Sequence, residues 1–194
     1  MHSSCTRHVR CLTEHLTPPA ERRYGAELIA YKFQDLPSEL GGAAVPTRVL
    51  HLAIQTMLEE LAPNLWEDSL TRLVDFGHVF SLELEMDSLF GEKLFHGEAV
   101  AIDMAFSIVL AHVRGHIDLD TCSRLLQTMT RLKLPVFHEL MDAKMCAKAM
   151  YERVKFSQGQ KLPLPVAYGT SRIFNDVSQE QMEEALSLWH QLCK

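Results

Sequence analysis

Apolar residues recur every three or four positions along most of the chain, a pattern that predicts helices. The clearest helix covers 97–114, and Gly115 supplies its C-terminal stop. The residues that repeat on this period are Val100, Ala101, Met104, Ala105, Ile108, Val109 and His112. Because the segment is apolar around most of its circumference, we expect it at the centre of a helical bundle.

Two more helices are predicted before this one. Apolar side chains over 48–61 share one helical face, and Pro63 and Asn64 end that helix. A second helix is expected from 67 to about 84, with His78 in its C-terminal half. Farther upstream, 24–34 is typical of the tail of a helix and 37–46 of a loop.

Helices also follow the central one. Asp118 or Asp120 can cap a helix that ends before Pro135, and another helix spans roughly 142–154. The run KLPLPVAY at 161–168 predicts a short edge strand or an extended connector, because its alternating prolines exclude a central strand.

The last helix has a complete start signal. Ser178 is placed as the N-cap with Gln181 three residues on, and Val177 is set to pack on Met182. The chain as a whole therefore predicts about six or seven helices with little or no sheet, a mainly α fold.

Composition narrows the class of protein. The 194 residues are 47% hydrophobic and 23% charged, as in an ordinary globular protein. The net charge of −6 disfavours nucleic acid as a partner, because a phosphate-binding surface needs clustered Lys and Arg. No apolar run approaches the ~20 residues of a membrane span, so no membrane partner is expected. The five cysteines, an odd set without a CxxC pair, are expected as reduced thiols in a cytoplasmic protein.

Residues 1–23 differ from the rest of the chain. They are polar, lack helical periodicity and are broken by Pro18 and Pro19. We predict a loose, disordered leader over 1–23, followed by one helical domain over 24–194.

His78 and His96 carry the candidate chemistry. They stand 18 residues apart, so they cannot share a turn of one helix, where facing side chains are three or four apart. They can meet only if the chain reverses between them, and Phe90–Gly91 is the natural place. Neutral imidazole is a common ligand of zinc and similar metals.

The segments around these histidines match a known pattern. DFGHVFSLELE at 75–85 and LFHGEAVAIDMAFS at 94–107 resemble the two signature segments of the sugar-phosphate cyclases, the family of dehydroquinate synthase. The two histidines of that family's metal site fall on His78 and His96. The resemblance covers the chain from about residue 24 to its end.

Three positions favour one branch of the family. Asp75 stands where dehydroquinate synthases carry Asn, and Leu82 stands where they carry a second, catalytic His. The run FSLELE resembles the FSPxLE of the 2-epi-5-epi-valiolone synthases, and Asp103 also fits that branch. We therefore favour a valiolone synthase-like cyclase over a dehydroquinate synthase.

The resemblance implies a two-domain enzyme of which this chain has the C-terminal helical half, without the NAD-binding half. The implied reaction is a phosphate-eliminating cyclisation of sedoheptulose 7-phosphate, a carbon–oxygen lyase activity that uses NAD and a divalent metal, zinc or cobalt. His78 and His96 are the implied metal ligands, and the third, a Glu, comes from the N-terminal half. A homodimer is an open possibility.

The resemblance also implies two catalytic residues. Asp75 matches the family's Asn, so it is expected to bond a substrate hydroxyl or to orient His78 from the same helix face. Lys155, four residues before Gly159, matches a Lys that contacts phosphate or carboxylate. Glu98 is expected to reach back to the N–H groups at the start of its helix.

Two other interpretations stay open. The chain can be a catalytically inactive relic that keeps the metal motif, or a helical interaction module with inherited histidines. The absence of a Gly-rich strand-to-helix fingerprint favours an inactive chain when it is taken alone. Helices that pack on the N-terminal half in relatives would then expose apolar surface, which predicts self-association.

Overall fold

The computed structural model describes residues 54–55, 57–59, 61–66, 69–91, 93–167 and 170–193. The described helical residues of 54–61 agree with the helix predicted over 48–61. After them come two short 3-10 helices, Ala62–Asn64 and Leu73–Asp75. The remaining elements are α1 (Ser81–Ser88), α2 (His96–Val113), α3 (Leu119–Arg131), α4 (Ala143–Ser157), β1 (Leu162–Ala167), β2 (Thr170–Phe174) and α5 (Gln179–Cys193). The predicted leader over 1–23, the helix tail over 24–34 and the loop over 37–46 lie outside the described residues.

Helix α2 is the centre of the fold, as the sequence predicts. Elements α1, α3, α5 and β1 all pack against it. Its Phe106 makes edge contacts with Phe80 and Trp189, at ring-centroid distances of 5.2 and 5.8 Å. The helix is long and apolar enough to cross a membrane, but 61% of it is buried inside the structure. That burial is typical of a core helix.

The helix predicted over 67–84 is wrong. The chain instead forms the 3-10 helix Leu73–Asp75, a turn through Gly77, and then α1 from Ser81. Gly77 has a φ of +82°, a left-handed conformation that interrupts a helix. His78 therefore lies in a turn before α1 rather than inside a helix.

The capping signals predicted for α3 and α5 are confirmed, and α4 has a cap of the same kind. Asp118 caps α3 by accepting from the Thr121 N–H at 2.7 Å, and Asp142 caps α4 by accepting from the Met145 N–H at 2.8 Å. Ser178 and Gln181 exchange side-chain to backbone hydrogen bonds of 3.2 Å at the start of α5. These bonds satisfy N–H groups that have no partner within their own helix.

The described sheet has two strands. β1 pairs antiparallel with β2, and Leu162 lies opposite Phe174. The strand at 161–168 was one of the two structures predicted there, whereas β2 was not predicted. Five residues, TSRIF, are too few to show a clear alternation. The sheet is small, so the prediction of a mainly α fold holds.

Candidate metal-binding site

The imidazole rings of His78 and His96 lie side by side. Their centroids are 5.5 Å apart and their planes are inclined by 56°. His78 precedes α1 and His96 begins α2, and the chain reverses between them at 89–91, where the sequence predicts it. Both side chains are exposed, so the pair is open to solvent or to a ligand.

Asp103 holds the turn of His78 onto α2. Its fully buried Oδ2 accepts hydrogen bonds from the backbone N–H groups of Val79, Phe80 and Ser81, at 2.9, 2.6 and 2.9 Å. These groups lie at the start of α1, where N–H groups have no acceptor within the helix. Because Asp103 is on the helix that begins with His96, this cap joins the two histidine segments.

Gly77 brings the same turn against α2. A Cβ at this position would lie 2.6 Å from Cγ of Met104 and 3.0 Å from the carbonyl oxygen of Val100. Its φ of +82° is a second reason for glycine, since side-chain-bearing residues rarely adopt it. The backbone before His78 therefore packs on α2 at a distance that excludes a side chain.

Each histidine has its Nδ1 near an oxygen of the protein. Nδ1 of His96 lies 3.0 Å from Oε2 of Glu85, and Nδ1 of His78 lies 3.4 Å from the carbonyl oxygen of Phe76. The second contact is long for a hydrogen bond and correspondingly weak.

The separation of the two imidazole rings matches that of two ligands on one zinc ion. Zinc binds imidazole nitrogen at about 2.0–2.1 Å in tetrahedral sites, which places two ligating rings with centroids about 5 Å apart. The observed 5.5 Å is close to that separation. Within the described ranges, no group of three His, Cys, Asp or Glu side chains could complete a site.

The structure places Asp75 in a buried ion-pair cluster. It is 4% exposed, and its two oxygens lie 2.8 Å from Arg72 Nη2 and 2.6 Å from Arg153 Nη2. Its carbonyl oxygen accepts from the His78 N–H at 2.8 Å. Because the helix over 67–84 does not form, Asp75 and His78 do not share a helix face. Asp75 acting on substrate or on His78 stays a prediction.

Lys155 and Glu98 lie in ordinary surroundings for their types. Lys155 is exposed near the end of α4, with its Nζ 3.5 Å from Glu152. Its contact with a substrate phosphate stays a prediction. Glu98 accepts from the Phe95 N–H at 2.8 Å, as expected of a residue reaching back over the start of α2.

Sequence reasoning missed the roles of Asp103, Glu85 and Arg153. The family resemblance uses Asp103 only to distinguish the branch, although an acidic residue inside the apolar run AVAIDMAF already indicates a buried polar contact. Glu85 is part of the FSLELE motif, but that motif by itself assigns no role to the residue. Nothing local in the sequence connects Arg153 with Asp75, because they are 78 residues apart.

Burial governs the acid–base properties of the interior groups. It raises the pKa of Asp103, while the hydrogen bonds from Phe80, Ser81, Val79 and Ser107 oppose that change. Burial also raises the pKa of the Cys122 and Cys193 thiols to about 11 and that of Cys146 still further. These thiols are therefore protonated and unreactive near neutral pH.

Comparison with known proteins agrees with this geometry. The family model of the 3-dehydroquinate synthase C-terminal domain matches residues 29–156. The 2-epi-5-epi-valiolone synthase of Streptomyces hygroscopicus subsp. jinggangensis is 46% identical over 164 residues, which cover 84% of this chain and 39% of that protein. The enzyme of the same name from an Actinoplanes species is 42% identical over 173 residues, which cover 89% of this chain and 42% of that protein.

A solved structure shows the same fold. ValA, the 2-epi-5-epi-valiolone synthase from the same Streptomyces strain, was solved with NAD+ and Zn2+ bound. It superposes with a TM-score of 0.79 at 38% identity, covering 94% of this chain and 49% of that one. The chain thus spans less than half the length of these relatives. It belongs to the dehydroquinate synthase-like family of sugar-phosphate cyclases and corresponds to their C-terminal helical domain.

Proposed function

We propose that the chain supplies the metal-binding helical part of a 2-epi-5-epi-valiolone synthase-like cyclase. Its substrate would be sedoheptulose 7-phosphate, which cyclises with elimination of phosphate. The observation that carries the proposal is the His78–His96 pair, with ring centroids 5.5 Å apart on segments that Asp103 joins. Relatives of that name, up to 46% identical, support the choice of reaction.

The cofactors of the proposed reaction are a divalent metal, zinc or cobalt, and NAD. His78 and His96 would hold the metal, which as a Lewis acid polarises the hydroxyl that is oxidised. ValA with NAD+ and Zn2+ bound supports both cofactors. By the family resemblance, the N-terminal half of the enzyme would bind NAD.

The chain's own residues would orient the substrate around this pair. The start of α2, next to His96, carries the positive end of the helix dipole, which favours an anion such as phosphate. Lys155 would add a cationic contact to the same substrate. Asp75, whose oxygens contact Arg72 and Arg153, would bond a substrate hydroxyl or orient His78.

The residue at position 82 is our reason for proposing the valiolone synthase branch of the family. Leu82, where dehydroquinate synthases carry a catalytic His, is 63% exposed on α1. An aliphatic side chain cannot transfer a proton, so the dehydroquinate synthase reaction would lack a required group.

Metal and substrate measurements test the proposal. Zinc and cobalt content would be measured on the chain and on His78→Ala, with NAD titrated into both. Phosphate release would be followed with sedoheptulose 7-phosphate and, as comparison, with a carboxylate-bearing sugar phosphate. We expect near one metal per chain, lost in His78→Ala. Any phosphate release is expected from sedoheptulose 7-phosphate and not from the carboxylate-bearing substrate.

Other outcomes of these measurements would favour other functions for the chain. Release from the carboxylate-bearing substrate would favour a dehydroquinate synthase. Metal binding without NAD binding or turnover would mean that the 194-residue chain is inactive alone. A chain that binds neither metal nor NAD, and whose stability is unchanged when both histidines become Ala, would be an interaction module.

A further inference from the structure

Glu85 stands directly beside one of the two imidazoles. Its Oε2 lies 3.0 Å from Nδ1 of His96, within hydrogen-bonding distance. An ionised carboxylate has no proton to donate, so Nδ1 must carry the hydrogen. In a neutral imidazole the other nitrogen, Nε2, then keeps its lone pair. We infer that Glu85 is a positioning residue that fixes His96 in the tautomer whose Nε2 can ligate a metal.

The surroundings hold Glu85 in place for this contact. Its helix, α1, is fixed at its start by the Asp103 cap. Near the end of α1, the buried hydroxyl of Ser88 donates to the Glu85 carbonyl oxygen at 2.7 Å and accepts from the Leu94 N–H at 3.0 Å. Ser88 thereby ties the backbone of Glu85 to the segment that immediately precedes His96.

His78 has a matching but weaker arrangement. Its Nδ1 lies 3.4 Å from the carbonyl oxygen of Phe76, and a carbonyl oxygen can only accept. Both rings are thus oriented with Nδ1 toward a protein acceptor, which leaves Nε2 as the ligating atom of each. His96 has the stronger of the two acceptors, because a charged acceptor makes the stronger hydrogen bond.

The carboxylate would also strengthen the ligand. A hydrogen bond from a metal-ligating imidazole to a carboxylate raises the basicity of the ligating nitrogen, and its loss typically weakens metal affinity about 10–100-fold. This part of the inference rests on the proposed metal site. The tautomer of His96 can be measured without any metal.

Glu83 provides a matched control on the same helix. It lies two residues away and its Oε2 contacts Lys148 Nζ at 2.6 Å, so its ion pair goes to α4 instead of to a histidine. Glu83→Ala removes the same kind of side chain from α1 and leaves the Glu85–His96 contact in place.

The first measurement is the nitrogen NMR spectrum of the histidine rings in the metal-free chain, at about pH 8, where a free imidazole is neutral. We expect hydrogen on Nδ1 of His96 in the wild type and in Glu83→Ala. Glu85→Gln should keep that tautomer, since its amide oxygen also accepts, whereas Glu85→Ala should shift the ring toward hydrogen on Nε2. Hydrogen on Nε2 of His96 in the wild type would overturn the inference.

The second measurement is zinc affinity by competition with a chelator. We expect Glu85→Ala to bind about 10–100-fold more weakly than Glu83→Ala, with Glu85→Gln between them. Equal affinity of the two Ala variants would also overturn the inference. If the wild type binds no zinc, the proposed function fails, while the ring spectrum still decides the role of Glu85. Unfolding midpoints of both Ala variants control for a loss of fold.

Discussion

The backbone N–H of Phe80 donates a 2.6 Å hydrogen bond to the buried Oδ2 of Asp103. The N–H groups on either side, of Val79 and Ser81, donate to the same oxygen. Through these bonds the helix that begins with His96 holds the turn that carries His78. The separation of the two imidazoles therefore depends on Asp103, although Asp103 forms no hydrogen bond with either ring.

Replacing Asp103 tests this dependence. Asp103→Leu removes the acceptor of three buried N–H groups, each of which costs about 1–3 kcal/mol when left unsatisfied. We expect a loss of several kcal/mol in the free energy of unfolding, measured by denaturant titration, together with loss of metal binding. Asp103→Asn keeps an acceptor oxygen and should lose much less stability. Equal stabilities of the Leu and Asn variants would contradict the role assigned to the cap.

Ser107→Ala serves as the control for Asp103. It removes a single 3.2 Å hydrogen bond to the other carboxyl oxygen and leaves the Oδ2 cap intact. We expect a loss of about 1 kcal/mol, the typical net value of one hydrogen bond, with metal binding retained.

Gly77 and Gly115 form a natural pair for testing close packing. Both have positive φ, +82° and +72°, but only Gly77 faces α2, whereas a Cβ at Gly115 would meet open space. Gly115→Ala should cost about 1 kcal/mol for the backbone strain alone. Gly77→Ala should cost more, because Val100 and Met104 must also move, and it should weaken zinc binding by displacing His78. Similar unfolding midpoints for the two variants would argue against the close approach.

The two predicted catalytic residues should behave differently under substitution. Asp75 is the buried acceptor of two guanidinium groups, so Asp75→Ala should cost about 3 kcal/mol of stability, as expected when a buried ion pair loses one partner. Lys155 is exposed, so Lys155→Ala should change stability by less than about 0.5 kcal/mol. Denaturant unfolding of both variants, beside phosphate release, separates a structural loss from a catalytic one.

The raised pKa of a buried thiol predicts that the free energy of unfolding falls at alkaline pH. Burial raises the pKa of Cys122 from 9.0 to about 11, so the folded state holds the proton more tightly than the unfolded state. The resulting stabilisation is complete below pH 9.0 and is lost as pH rises through about 11. The difference in unfolding free energy between the wild type and Cys122→Ser should therefore shrink over that interval. A difference that does not change with pH would contradict the raised pKa.

An exposed apolar face on α1 predicts self-association of the 194-residue chain. Leu82, Met86 and Leu89 share this face by spacing, and Phe90, 94% exposed, follows it. Phe90→Asp should lower the apparent mass in sedimentation or light scattering at a given concentration. Leu119→Asp, at a 48% exposed position at the start of α3, is the control and should leave the mass unchanged. A monodisperse wild-type monomer would contradict the prediction.

The helical part of the fold could be predicted because its signals are local. The apolar period of α2, the Asp118 cap and the Ser178–Gln181 pair each lie within a few residues of the structure they specify. The helix over 67–84 was predicted wrongly because its apolar period continues through Gly77. What ends it is contact with Val100 and Met104 and the Asp103 cap, which the sequence places more than 20 residues away.

In the candidate site, too, local features could be predicted from the sequence and tertiary contacts could not. His78 and His96 could be paired from motif resemblance and from the need for a chain reversal. The contacts that orient them could not, because Glu85–His96 and Asp103–Phe80 each join segments through tertiary packing. The pairing of Asp75 with Arg153 leaves no local pattern either, because the two residues are 78 positions apart.

The number of residues between His96 and Asp103 fixes how these two side chains are oriented relative to each other on α2. Both residues belong to α2, one supplying a ring and the other the cap that sets the second ring, and positions 96 and 103 are close to two full helical turns apart. Inserting or deleting one residue between them would rotate Asp103 by about 100° relative to His96, even if every side chain were otherwise kept. Substitutions at exposed positions of this interval are therefore tolerable, whereas a change in its length would uncouple the two halves of the site.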